Sequence, residues 1–135
     1  MNYYFDTCIW RDYYENRNDN YRPLGEWALA LIKKIQKEEG IIFYSELVID
    51  ELKKEYTPET IKKIINIPYI KLIDLNFTQS QIQEATILGK IRRVGFSDAF
   101  HAILARDNNA MLITRDVHFY ELRDIVKIKK PEELI

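Results

Sequence analysis

Five short apolar runs punctuate the chain, and the segments between them carry apolar residues at helical spacing. This alternation constrains the fold more than any other feature, because strands separated by helices pair in parallel and need helices on both faces of the sheet. The runs are Asn2–Asp6, Ile41–Tyr44, Tyr69–Asp74, Ala110–Thr114 and Ile125–Ile128. The first intervening helix opens at Pro23, and Leu24, Trp27, Ala28, Leu31, Ile32 and Ile35 form one apolar face, with Gly40 suited to a C′ position. Ser45 is placed to cap a helix from Glu46 to about Tyr56. Thr57-Pro58-Glu59 opens a short helix with Ile61, Ile64 and Ile65 inward, which Pro68 ends. Thr78-Gln79-Ser80-Gln81 matches a capping box for a helix to about Arg93, broken at Gly95. Ser97 caps a further helix from Asp98 to about Asn108, and Pro131–Leu134 makes a last helical turn. The stretch Arg11–Arg22 is polar with interspersed tyrosines and reads as a loop or a short irregular helix.

The 135 residues suit one α/β domain spanning 1–135, and 47% hydrophobic content is enough for a core without staples. Acids and bases nearly cancel, 21 against 20, which excludes disorder driven by net charge and disfavours a protein that coats nucleic acid nonspecifically. The single cysteine, Cys8, excludes an internal disulfide and a multi-cysteine zinc site. No apolar run is long enough to span a bilayer, and the N-terminus lacks the basic and apolar regions of a signal peptide. The expectation is a cytoplasmic domain without membrane contact.

Ligands of open parallel sheets bind beyond the carboxyl ends of the strands. Asp6 ends the first strand, Asp116 follows the fourth, Asp98 opens the helix before it, and Glu51 lies on the helix after the second. None of the four fits the apolar pattern around it. Singly, each has an ordinary reading: turn former, helix-dipole partner or solvated face. On one rim, four carboxylates without a His or Cys cluster describe a site for Mg²⁺ or Mn²⁺. Glu46 also follows Ser45 and competes with Glu51 for the second acidic role.

The residues carry a resemblance. Tyr4-Phe5-Asp6-Thr7-Cys8 resembles the opening strand of PIN-domain nucleases. Ser45-Glu46-Leu47-Val48-Ile49-Asp50-Glu51-Leu52 resembles their second motif, a serine followed six residues later by an acid. Ser97–Ala105 is similar to the third, an Asp opening an alanine-rich helix, and Met111–Phe119 to the fourth, a strand ending in Thr-x-Asp. The four occur in the family's order over nearly the whole chain. Length and the lack of further domains resemble the VapC toxin branch or its stand-alone relatives. The resemblance implies a central parallel sheet ordered 3-2-1-4-5 and a Mg²⁺- or Mn²⁺-dependent ribonuclease with Asp6, Glu51, Asp98 and Asp116 around the metal. It also implies that Thr114 helps hold the fourth acid or a water.

The implied substrate is RNA. Arg11, Arg92, Arg93 and Arg115 are candidates to meet its backbone, against the plainer reading of surface charge. Tyr13, Tyr14 and Tyr21 either stack on unpaired bases or pack the Arg11–Arg22 stretch onto the body. A cognate antitoxin and a second copy of the chain are the candidate protein partners; Trp27 and its stripe are either core or a dimer face. His101 reads as a packed or hydrogen-bonded helix residue, His118 as surface, and Cys8 as a small buried residue. Two alternatives remain open: a nuclease for DNA or structured RNA, and a PIN-like binding or scaffold protein that has lost turnover. A haloacid-dehalogenase phosphatase fails, since its second Asp falls at Cys8.

Overall fold

A computed structural model describes all residues 1–135. Five parallel strands form one sheet in the order β3-β2-β1-β4-β5: β1 (Asn2–Phe5), β2 (Ile41–Ser45), β3 (Lys71–Leu75), β4 (Met111–Ile113) and β5 (Ile128–Lys129). This is the α/β order anticipated above. Six α-helices flank the sheet: α1 (Thr7–Glu15), α2 (Leu24–Lys37), α3 (Glu46–Leu52), α4 (Pro58–Ile64), α5 (Gln79–Arg92) and α6 (Phe96–Asp107). The chain steps outward from β1 through β2 to β3, then returns past β1 to β4 and β5. Because parallel crossovers are right-handed, the reversal puts α1–α4 on one face and α5–α6 on the other. It also opens a crevice beyond the carboxyl ends of β1 and β4.

The core runs through the sheet. Tyr3, Tyr4 and Phe5 of β1 and Leu112 and Ile113 of β4 are buried, as expected of strands covered on both sides. On α6 every residue from Ala99 to Ala105 is buried, and three alanines among them let the helix approach its neighbours closely.

Of the two readings of Arg11–Arg22, loop or short helix, its first part is helical: α1 reaches Glu15, with Ile9, Trp10 and Asp12 buried. A charged residue on the core-facing side interrupts its apolar pattern. The turn that follows is tight. A Cβ on Gly25 would sit 2.4 Å from Asn16 Cα, so only glycine permits this approach of α1 and α2. Several local readings are corrected. The left-handed positions after α2 and α5 fall on Glu39 (φ 54°) and Arg93 (φ 56°), not on Gly40 and Gly95. Helix α3 stops at Leu52, well before Tyr56. Gly95 rather than Ser97 occupies the N-cap of α6. Strand β5 begins later than the Ile125–Ile128 run, because Leu112 N–H and Thr114 N–H donate to the carbonyls of Lys127 and Lys129. A 3₁₀ turn, Val117–Leu122, fills part of the link from β4.

Candidate functional site

Asp6 is the first residue past β1. Its backbone N–H donates to Ile113 O at 3.0 Å, which sets it beside the end of β4. Its carboxylate caps α1: Oδ1 accepts from Thr7 N–H at 2.8 Å, and Oδ2 accepts from the Thr114 hydroxyl at 2.8 Å. Thr114 Oγ1 in turn accepts from Asp116 N–H at 3.0 Å. One threonine therefore fixes two acids, through a side chain and through a backbone. Asp116 caps the following 3₁₀ turn by accepting from His118 N–H at 2.9 Å.

Glu51 comes from α3 and Asp98 from the first turn of α6. Glu51 Oε1 lies 2.6 Å from His101 Nε2, and His101 is fully buried. Glu46 is exposed and does not line the cleft, whereas Glu51 does. A cleft of about 340 Å³ gathers Asp6, Glu51, Asp98 and Asp116 with Thr7, Cys8, Arg11 and Arg115.

The acids sit close enough to feel one another. Burial first, then the charges of Asp116 and Asp6, push the Asp98 carboxyl above its ordinary range. Glu51 goes the other way. Burial would raise it, but the hydrogen bond from His101 and that residue's charge outweigh burial and hold it below the usual range. Burial lowers His101, yet the bond to Glu51 and the charges of Asp6, Glu51 and Asp98 carry it upward on balance.

The donor set fits a hard cation. Ligand atoms of Asp6, Glu51 and His101 lie within 4.8 Å of one another, as do those of Asp98, Asp116 and His118. Octahedral Mg²⁺ with oxygens at about 2.1 Å spans about 4.2 Å between opposite ligands. The Thr7 hydroxyl is buried at the cleft, makes no close hydrogen bond, and lies near enough to Glu51 to help lower it. Cys8 lines the cleft with its sulfur 3.4 Å from Asp6 Oδ2 and is partly buried against the core. Enclosure of the thiol and the charge of Asp6 drive it above its ordinary range, which disfavours the thiolate.

The arginines separate. Arg11 lines the cleft and pairs with Glu55 at 3.3 Å. Arg115 also lines it, but its guanidinium is occupied by Asp12 at 3.1 Å and Glu132 at 2.9 Å, and it lies 5.5 Å above the Trp27 ring. Trp27 thus packs under this network, and the stripe around it is core. Arg92 forms a two-pronged pair with Asp124 and donates to Glu121 O, fastening the end of α5 to the 3₁₀ turn; Arg93 is exposed. Neither lines the cleft. Tyr21 is fully exposed, while Tyr14 packs edge-on against Tyr56.

Sequence reasoning undervalued His101, although its spacing of three residues from Asp98 puts both on one helix face. It gave no role to Asp12 or Tyr4 and read Ser45 as a cap. Ser45 makes no capping bond; its hydroxyl is 2.7 Å from Tyr4 OH.

A family model described as the PIN domain matches residues 3–125. No curated protein sequence matches the chain. Among solved structures it is similar to VapBC2 from Rickettsia felis bound to a DNA fragment from their promoter, with a TM-score of 0.69, 19% identity, and 96% of this chain and 98% of that chain covered. It is similar to FitAcB from Neisseria gonorrhoeae, with a TM-score of 0.62, 15% identity and coverage of 99% and 100%. A toxin-antitoxin complex from Klebsiella pneumoniae gives a TM-score of 0.60 at 19% identity, with 96% and 97% covered. At these identities the likeness is one of fold.

Proposed function

The chain belongs to the PIN domain family, and on that premise we propose that it is a Mg²⁺- or Mn²⁺-dependent endoribonuclease that hydrolyses RNA phosphodiester bonds. One observation carries the reading: four carboxylates from four separate elements meet in a single cleft at the point where the strand order reverses. Asp6, Glu51, Asp98 and Asp116 would hold the cation, and Thr114 would keep Asp6 and Asp116 in register.

When bound, the cation supplies charge neutralisation at the phosphate and acidifies a water for in-line attack. The chain supplies the rest. Asp6 enters the site already oriented by Thr7 N–H and the Thr114 hydroxyl, and Glu51 by His101. Burial, with the charges of Asp116 and Asp6, destabilises the Asp98 carboxylate in the metal-free cleft, and a cation held there would relieve that cost. Arg11 is the cleft-lining cation whose partner is most exposed, so it is the first candidate to meet the RNA backbone, ahead of the buried and doubly paired Arg115.

We further infer that the chain is the toxin of a type II toxin-antitoxin pair with a cognate antitoxin partner. The likeness to the Klebsiella toxin-antitoxin complex supports this. No helix is long and apolar enough to cross a membrane, which suits cytoplasmic RNA as the target.

The test is incubation with unstructured RNA and Mg²⁺ or Mn²⁺, with single-stranded DNA and structured RNA in parallel. Cleavage of the unstructured RNA that stops in EDTA is the result expected. Cleavage that persists in EDTA overturns the metal mechanism, and RNA bound but uncut with metal present points to a binding or scaffold protein.

A further inference from the structure

Behind the acidic cleft lies a buried chain of polar groups, of which the reading above uses only the contact between His101 and Glu51. Ser45 Oγ is 2.7 Å from Tyr4 OH, Tyr4 OH is 2.7 Å from His101 Nδ1, and His101 Nε2 is 2.6 Å from Glu51 Oε1. Ser45, Tyr4 and His101 are each at most 1% exposed. The chain joins β1, α6 and the contiguous pair β2 and α3, three segments far apart in sequence. Buried polar groups without partners are costly, so each member is committed to the next.

The two ends of the imidazole have different tasks. Nδ1 meets the Tyr4 hydroxyl, which Ser45 holds from the other side. Nε2 faces a carboxylate at a distance that requires a shared hydrogen, and a carboxylate accepts rather than donates. An imidazole nitrogen that carries the shared hydrogen has no lone pair for a cation, so while Nε2–H holds Glu51, His101 is not a ligand, although that nitrogen lies in the same cluster as Asp6 and Glu51.

We propose that His101 is a positioning residue: its Nε2–H holds one oxygen of Glu51 and leaves the other turned to the cation, while the Tyr4 and Ser45 hydroxyls fix the orientation of the ring. The proposal rests on the metal-binding reading of the four acids. It assigns a purpose to the serine that precedes Glu51 by six residues: that serine anchors a relay rather than capping a helix. Partners of this kind commonly change metal affinity by about 10–100-fold when removed.

Two substitutions separate positioning from packing. In His101→Gln the amide nitrogen reaches the place of Nε2 and can still donate to Glu51. In His101→Asn the amide reaches only the place of Nδ1. Mn²⁺ alone is the probe, its free concentration followed by electron paramagnetic resonance, with melting temperatures recorded for each protein. The result expected is a loss of Mn²⁺ affinity of about tenfold or more in His101→Asn, with most of it recovered in His101→Gln. Equal affinity in both variants and wild type overturns the proposal and leaves the metal site standing. Mn²⁺ binding by Glu51→Gln equal to that of wild type, or none by wild type, overturns the metal reading and the proposal with it. A second measurement needs no variant: nitrogen-detected NMR of the wild-type imidazole should find a hydrogen on Nε2, and a bare Nε2 overturns the assignment.

Discussion

Replacing Asp98 by Asn should make the metal-free protein more stable while weakening its response to Mg²⁺. The carboxylates of Asp98 and Asp116 lie within 4.8 Å. Two unit charges at that separation repel by about 3.5 kcal/mol at an effective dielectric of about 20. Two effects reduce this. The Asp116 side chain is 39% exposed, so salt and water screen it. His118 Nδ1 stands 2.8 Å from Asp116 Oδ1 and offsets its charge whenever protonated. A net relief of about 1–1.5 kcal/mol remains, which for a chain of this size is a rise in Tm of about 3–6 °C. The pH dependence has a definite sign. A carboxyl raised in the folded state binds protons there more tightly than in the unfolded chain, so wild-type stability falls as pH rises through the folded value. The advantage of Asp98→Asn is therefore present at neutral pH and fades on acidification toward the ordinary carboxylate range. Thermal melts in EDTA at neutral and mildly acidic pH, repeated with Mg²⁺, measure all of it. Mg²⁺ should raise the Tm of wild type by binding only the folded cluster, and raise that of the variant less. A metal-free variant that is several kcal/mol less stable, the signature of a broken buried pair at about 3–5 kcal/mol, together with a wild type indifferent to Mg²⁺, would refute the reasoning.

Three further outcomes follow from the site. Glu51→Gln should lower kcat for RNA cleavage by about a hundredfold or more, whereas the exposed Glu46→Gln stays within about twofold of wild type; the reverse order in steady-state kinetics would reassign the second acid. Arg115→Ala strands the buried Asp12, which burial already pushes above its ordinary range, and should cost about 3–5 kcal/mol in denaturant melts. Asp12→Asn in the same chain should return part of that loss, and no recovery would show that Arg115 acts through Trp27 and Glu132 instead. Arg11→Ala should weaken RNA binding and flatten its salt dependence more than Arg92→Ala, because only Arg11 lines the cleft; equal effects in binding titrations at two salt concentrations would widen the RNA path to the end of α5.

The layered α/β fold, its strand number and the four acids that come to line one cleft were legible in the sequence. These are local signals: apolar runs report burial on both faces, capping residues report helix starts, and an acid just past a strand is conspicuous because nothing apolar explains it. Strand order came from likeness to a family rather than from pattern. The tertiary structure alone decided partnership. Asp12 interrupts the apolar face of α1 in sequence but meets Arg115, 103 residues away, so pattern alone leaves loop and irregular helix undecided there. Ser45 has the chemistry of a cap, yet Tyr4 on the adjacent strand claims its hydroxyl. Arg11, Arg92 and Arg115 look alike as letters, and only packing shows that Arg92 is tied to Asp124 and Arg115 to two acids and a ring. A side chain's periodicity is set by its own element, whereas its hydrogen-bond partner is set by whichever element folds against it.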